Sequence, residues 1–370
     1  RSATSSPARG PDAMATVATS TGAPLATGTT TVGIIVNPHA GKDIRRLVSA
    51  AGQTSDAVKI SIMRRVAAGA IEQGAERVLM STDTHHLAER AVEGLDGPIE
   101  FLESPQTGSF LDTIAAARSM WKAEAGAVIA LGGDGTCRDV ATGWPEAPLI
   151  AISTGTNNVF PTAVDGTTAG VAASLVASGA VEATSVTTPA KRVSIRIDDP
   201  NRDTVLHEDA LVEAALVDTA FVGARAVSDP ATIRWVVACI ASPASTGLAS
   251  IAGRVHPVER NGPGGVLLRL GPGGRRIRVP LSPGTFSTLE VASVEPLAEG
   301  QQVELGGGGV MAYDGERNTP VSAHTTVTAS VERSGPHMID VERTLQLAAL
   351  DQQFDVRTAD APPRKDIHGD

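Results

Sequence analysis

Residues 128–136 read VIALGGDGT, and Cys137 and Arg138 follow. An apolar run that stops at glycines wrapped around one aspartate has two readings. It is a strand-end turn in which glycine supplies the dihedrals and Asp134 caps the next helix, or it is a site where a bare backbone approaches a ligand. The choice depends on what the rest of the chain places beside it.

Upstream, TVGIIVNPHAGK (31–42) is a β-branched run ended by Asn37-Pro38. Continuous apolar strands of this kind belong to parallel sheets buried on both faces. AERVLMST (75–82) and IEFLES (99–104) are the next strands, with helices expected over 85–95 and 110–124. AGAVIALGG gives a fourth strand and APLIAISTGT (147–156) a fifth, separated by a short helical stretch near Arg138 to Thr142 and followed by a helix at 168–178. Strands alternating with helices imply a doubly wound α/β domain, whose ligand crevice lies at the carboxyl ends of the strands. Asn37, the Gly132 to Thr136 turn and the Thr154 to Asn158 segment all occupy such ends.

Beyond Lys191 the texture changes to short alternating runs separated by Gly and Pro, the pattern of an antiparallel β-rich, sandwich-like domain. The repeated GPGG (262–265 and 271–274) is expected to bracket a hairpin. The expected organisation is a disordered tail over 1–30, an α/β nucleotide-binding domain over 31–189 and a β-rich domain over 190–338. Residues 339–370 supply a helix that returns toward the first domain and then a frayed end. Met14 is a candidate natural start.

The chain is 42% hydrophobic and 19% charged, as expected of a globular protein with a sizeable core. A net charge of −10 and only 3% aromatic residues argue against nucleic-acid binding, which needs Lys/Arg neutralisation or stacking platforms. Cys137 and Cys239 read as reduced, buried thiols. No apolar run reaches the roughly 18 residues that span a bilayer, and no signal-peptide core is present. A cytoplasmic protein with no membrane partner is expected. His85-His86 lack zinc-site neighbours.

Two common phosphate motifs fail. The P-loop spacing breaks at Val36 and Asp43, and the dinucleotide fingerprint breaks at Arg138. Successive glycines after a strand still present N–H groups as an anion-binding nest. A carboxylate at its mouth repels phosphate, so Asp134 makes chemical sense as a proton acceptor or a metal ligand.

Four ordered segments, VNPHAGK (36–42), LGGDGT (131–136), STGTNN (153–158) and YDGER (313–317), resemble the superfamily of NAD kinases and diacylglycerol or sphingosine kinases. With SPASTGLASIAGRVHPV (242–258) and VPLSPGTF (279–286), the resemblance is greatest to the ATP-NAD kinase-like branch of the acetoin-catabolism protein X type. It implies an active site in the cleft between an α/β and a β-rich domain. It also implies an ATP-dependent kinase that phosphorylates the 2′-hydroxyl of NAD, or a related nucleotide, with Mg²⁺ on the triphosphate. Asp134 would be the general base and the candidate contact to the metal. Asn37, Gly132, Gly133, Gly135, Thr136, Thr154, Gly155, Thr156, Asn157 and Asn158 would contact ATP or the nucleotide, with Lys42 as a phosphate-facing cation.

In the second domain the resemblance points to Glu213, Ser245, Thr246, Gly247, Asp314 and Glu316. The asparagine of the family's Asn-Glu motif is replaced by Val212, which departs from the NAD contacts of the family. Asp314-Gly315-Glu316 is closer to the lipid kinases, or is simply a hairpin turn. A lipid or small-polyol kinase and a non-catalytic ATP/NAD-binding accessory protein are the alternative readings. By analogy the partner is a small molecule and the chain a homo-oligomer.

Overall fold

The computed structural model describes residues 29–41, 54–103, 105–155, 158–200, 205–219 and 229–355. The expected N-terminal tail up to residue 28 and the frayed end after Asp355 lie outside the described residues.

The apolar runs become parallel strands separated by helices. β1 (Thr31–Val36) is followed by α1 (Asp56–Glu72), β2 (Arg77–Ser81), α2 (Leu87–Val92) and β3 (Ile99–Leu102). Then come α3 (Phe110–Lys122), β4 (Ala127–Gly132), α4 (Asp134–Gly143), β5 (Pro148–Ser153), α5 (Gly166–Ala177) and α6 (Ala183–Val186). β1 and β4 are buried at every position, as strands covered on both faces must be. The five strands lie parallel in the order β3-β2-β1-β4-β5. Chain direction across the sheet reverses between β1 and β4, so the crevice opens where Asn37 and Gly133 leave their strands.

The next region is antiparallel. β6 (Thr187–Pro189) leads to β7 (Arg192–Asp198), β8 (Leu206–Ala210), β9 (Glu213–Val217), β10 (Ile233–Ala238) and the short α7 (Leu248–Gly253). β11 (Gly265–Ser282), β12 (Thr285–Leu297), β13 (Gln302–Gly306), β14 (Gly309–Tyr313), β15 (Glu316–Val321) and β16 (Thr326–Glu332) complete it. One sheet runs β12-β11-β10-β9-β14-β15 and the other β13-β16-β7-β8. On β7, buried Val193, Ile195 and Ile197 alternate with more exposed residues, as a strand with one covered face requires.

The chain then returns. β17 (His337–Ile339) pairs parallel with β5, β6 pairs antiparallel with β17, and α8 (Val341–Leu350) packs on α5. One apolar cluster joins the two regions, holding Ile35, Val128 and Phe160 together with Val193, Val212 and Tyr313.

Three sequence expectations need correction. The two GPGG segments do not bracket a hairpin: β11 continues through residues 271–274 with a register shift, and the turn to β12 falls at Pro283-Gly284. A bulge absorbs the extra residues without ending the strand. The helix after β4 begins at Asp134, not near Arg138. Helix α1 was not anticipated, although Ser55 caps it by accepting from the Val58 N–H and Met63, Val66, Ala67 and Ala70 form its buried stripe.

Helices α1 and α5 meet backbone to backbone. A methyl group at Gly170 would overlap the Val66 carbonyl oxygen, and one at Gly69 would overlap the Thr167 carbonyl oxygen. Gly170→Ala should therefore destabilise the fold by about 1–3 kcal/mol despite alanine's better helix propensity. Gly306→Ala, where an added methyl meets nothing within 4 Å, is the control in chemical denaturation. Equal stability of the two variants would refute the close crossing.

Candidate functional site

Asp134 is the first residue of α4, directly after the extended Gly133. Its side chain does not cap its own helix; it crosses to the segment after β5. Oδ1 accepts from the Phe160 N–H at 2.8 Å and the Val159 N–H at 3.0 Å, while Oδ2 has only the longer 3.3 Å contact with Val159. The residue is 8% exposed. Burial, reinforced by the Asp314 carboxylate, pushes its pKa up to about 7, against the pull of the two N–H groups and Arg260.

The glycines of the motif are not left-handed. None of Gly132, Gly133, Gly135 and Gly155 has a positive φ in the range that excludes side chains. They are needed for close approach instead: a Cβ on Gly132 would overlap the Thr136 side chain, and one on Gly155 would overlap Asn158 Oδ1. Gly135 differs, because a Cβ there meets nothing within 4 Å. The nest expected from the glycines is thus the first turn of a helix, whose leading N–H groups have no intrahelical partner.

Asn37 ties β1 to the motif. Its Nδ2 donates to Thr136 Oγ1 at 2.9 Å and its Oδ1 accepts from the His39 N–H at 2.9 Å. Fully buried Lys59 on α1 holds the same turn from beneath, Nζ donating to the carbonyls of Asn37 at 3.1 Å and Pro38 at 2.8 Å. Asn158 Nδ2 donates to Ser153 Oγ and to the Gly155 carbonyl at 3.1 Å, bracing its own loop. Thr154 is 1% exposed, and its Oγ1 has no partner. Lys42, Thr156 and Asn157 lie outside the described residues.

The second region contributes another buried carboxylate. Asp314 and Gly315 have φ of 50° and 80° and form the two-residue turn between β14 and β15, so the hairpin reading of Asp-Gly-Glu is correct. The Asp314 side chain is nevertheless turned inward, accepting from the Val212 N–H at 2.9 Å and the Leu211 N–H at 3.3 Å. Burial raises its pKa, opposed first by Arg138. Arg138 on α4 donates to the Tyr313 carbonyl at 3.1 Å and lies 3.8 Å from Asp314 Oδ2. Glu316 opens β15 and Glu213 opens β9; Glu213 is buried. Val212 is fully buried, so at that position only the backbone N–H is available, and Asp314 takes it.

A cleft of 620 Å³ lies between the two regions, lined by Asn158 and Val159 from the first and by Ser242, Ser245, Glu259 and Arg260 from the second; Asp134 is not itself a lining residue and meets the cleft through its hydrogen bond from the Val159 N–H. Ser245 Oγ donates to the Ser242 carbonyl at 2.7 Å. Gly247, at φ 82°, starts α7 and donates its N–H to the Pro280 carbonyl at 3.0 Å, so it and Thr246 lie behind the cleft wall and are not among the lining residues. Arg260, Arg138 and Lys59 had not been singled out from the sequence, where isolated cations carry no motif.

Among the described residues no group of three or more His, Cys, Asp or Glu side chains is placed to hold a metal. Asp134 Oδ1 is already committed to peptide N–H groups. The described residues therefore build no magnesium cage of their own. What the arrangement does provide is a nearly dry carboxylate poised to gain or lose a proton near neutrality.

That poise carries a stability cost with a defined sign. Folding raises the Asp134 pKa, so the folded state keeps a proton that the unfolded chain releases, and stability falls as pH climbs from the ordinary carboxylate range to about 7. Asp134→Asn should raise the unfolding midpoint at pH 8, with the gain shrinking toward pH 4. Denaturation at both pH values checks this, and an equal gain at both would contradict the raised pKa.

Residues 32–181 match the family model described as the ATP-NAD kinase N-terminal domain, and residues 191–334 match the acetoin catabolism protein X C-terminal domain. The chain is 35% identical over 332 residues to the acetoin catabolism protein X of Cupriavidus necator, covering 86% of this chain and 92% of that one. An uncharacterised protein of Archaeoglobus fulgidus is 31% identical over 131 residues, 35% of this chain and 36% of its own. Yeast NADH kinase, solved with NADH, shares the fold with a TM-score of 0.52 at 13% identity, over 89% of this chain and 90% of that one. The chain belongs to the acetoin catabolism protein X family, with a first region that matches the ATP-NAD kinase N-terminal domain.

Proposed function

We propose that this protein is an ATP-dependent phosphotransferase with an alcohol acceptor, and that the acceptor is the 2′-hydroxyl of NAD or a closely related nucleotide. The observation that carries the reading is Asp134: a buried carboxylate held by the N–H of the cleft residue Val159, with its pKa pushed up to about 7. A base matched to neutral pH is what general-base catalysis favours. The glycine at position 135, which no neighbour among the described residues requires, accords with a ligand approaching the first turn of α4.

In this reading the acceptor hydroxyl gives its proton to Asp134 Oδ2 as its oxygen attacks the γ-phosphorus of ATP. The bond to the β–γ bridging oxygen breaks and ADP leaves. Magnesium arriving with ATP would neutralise charge on the triphosphate. The protein's share is to hold the acceptor against the base and keep water out, and orientation of this kind supplies up to about 7–11 kcal/mol. Val212 in place of the asparagine leaves the cleft walls, not a side-chain amide at that position, to recognise the acceptor.

Incubation with ATP, Mg²⁺ and NAD should give a product heavier by one phosphoryl group. Asp134→Asn should lower turnover by about 10²–10⁴-fold. Because the base acts ionised, kcat/KM should rise with pH through about 7. Full activity of Asp134→Asn would remove the general-base role, and turnover of a phospholipid or polyol without NADP formation would replace the acceptor.

A further inference from the structure

Arg260 reaches the cleft from the loop after α7 and is its one lining cation among the described residues. It is fixed in place on the side nearest the first domain. One terminal nitrogen donates to the Val159 carbonyl at 2.7 Å, and the guanidinium carbon lies 5.2 Å from the centre of the Phe160 ring. These are the two residues whose N–H groups hold Asp134. A guanidinium carries five N–H donors, so one carbonyl leaves most of them unspent. No carboxylate salt bridge to Arg260 occurs among the described residues. Burial disfavours its charge, while Asp134 supports it.

A half-buried arginine that lines a cleft, held by one carbonyl and a ring and with most of its donors unspent, is suited to receive a planar or tetrahedral oxyanion. The chain as a whole has a net charge of −10, so an anionic ligand gains attraction here only from a local cation. Ile240, Ala241 and Pro243 give that wall an apolar stretch beside its polar members Ser242, Ser245 and Glu259, which suits a ligand with an anionic group attached to a flat or aliphatic body that sits on the Arg260 side of the Glu259 carboxylate.

We infer that Arg260 is the anion anchor of the cleft, selecting ligands that carry a phosphate or pyrophosphate over neutral ones of the same shape. This deepens the phosphotransferase reading by assigning the residue that grips the ligand's phosphate. Its deciding test is binding, whose outcome is independent of turnover. Arg260 also braces the Val159–Phe160 segment against Asp134, so the same side chain joins ligand retention to the placing of the base.

Calorimetric titration with inorganic pyrophosphate, ATP and NAD is the experiment. Arg260→Gln should weaken pyrophosphate binding about tenfold or more, the scale of a lost charge-assisted hydrogen bond, and Arg260→Lys should weaken it less. With NAD and ATP as substrates, Arg260→Lys should raise KM more than it lowers kcat. Ala244→Lys and Ala244→Glu, in the same cleft lining, decide the matter even where Arg260→Gln fails to fold. Tighter pyrophosphate binding in the first and weaker binding in the second support the anchor. Unchanged affinity in both, or no pyrophosphate binding by the parent protein at millimolar concentration, overturns it. Arg260-dependent binding without NAD phosphorylation would leave the anchor standing and sink only the proposed reaction.

Discussion

The structure turns on a carboxylate that leaves its own helix to satisfy another element. Asp134 stands at the head of α4, where the helix dipole already favours negative charge, yet its oxygens are taken by the Val159 and Phe160 N–H groups beyond β5. That crossing fixes the ends of β4 and β5 relative to one another. It also removes the carboxylate from water, and the cost of doing so is what brings its proton affinity into the neutral range.

Asp314 repeats the arrangement from the other region. Its two N–H donors come from the turn between β8 and β9, and its nearest cation is Arg138 of α4, four residues along the helix from Asp134. Each region thus contributes a buried aspartate held by peptide N–H groups, and one helix of the first region supplies both Asp134 and the counter-charge to Asp314. Removing Arg138 would leave Asp314 buried with peptide dipoles alone, the situation in which a broken buried pair is most damaging. The continuous apolar cluster from Ile35 to Tyr313 keeps water from relieving that strain on charge.

The parallel strands were legible because burial on both faces forces a continuous apolar run, and β1, β4 and β5 fall where those runs lie. Asp134, Asn37 and the Thr154–Asn158 segment were legible because the carboxyl ends of parallel strands are where a doubly wound sheet opens. What the sequence concealed has a common cause: it depends on partners distant in the chain. Helix α1 is amphipathic on a narrow, alanine-rich stripe whose glycines make sense only against α5. The second GPGG looked like a turn because a bulge and a turn use the same residues. Arg260 and Lys59 are single cations with no local pattern, and their roles follow from which carbonyls they meet.

The substitution at position 212 follows from the same electrostatics. A buried asparagine side chain at the head of β9 would need its own partners in a layer now filled by Ile195, Cys239 and Tyr313. Valine fills that volume and needs none, while its peptide N–H is still required by Asp314. The position therefore serves the buried acid through its backbone and the core through its side chain. Recognition of the ligand must then come from residues that retain unspent donors and face open space. In the described part of the cleft, Arg260 meets both conditions, whereas Asn158 has committed its amide hydrogens to Ser153 and Gly155. In the proposed reading, selectivity rests on charge carried by the second region's loop, in direct contact with the segment that holds Asp134.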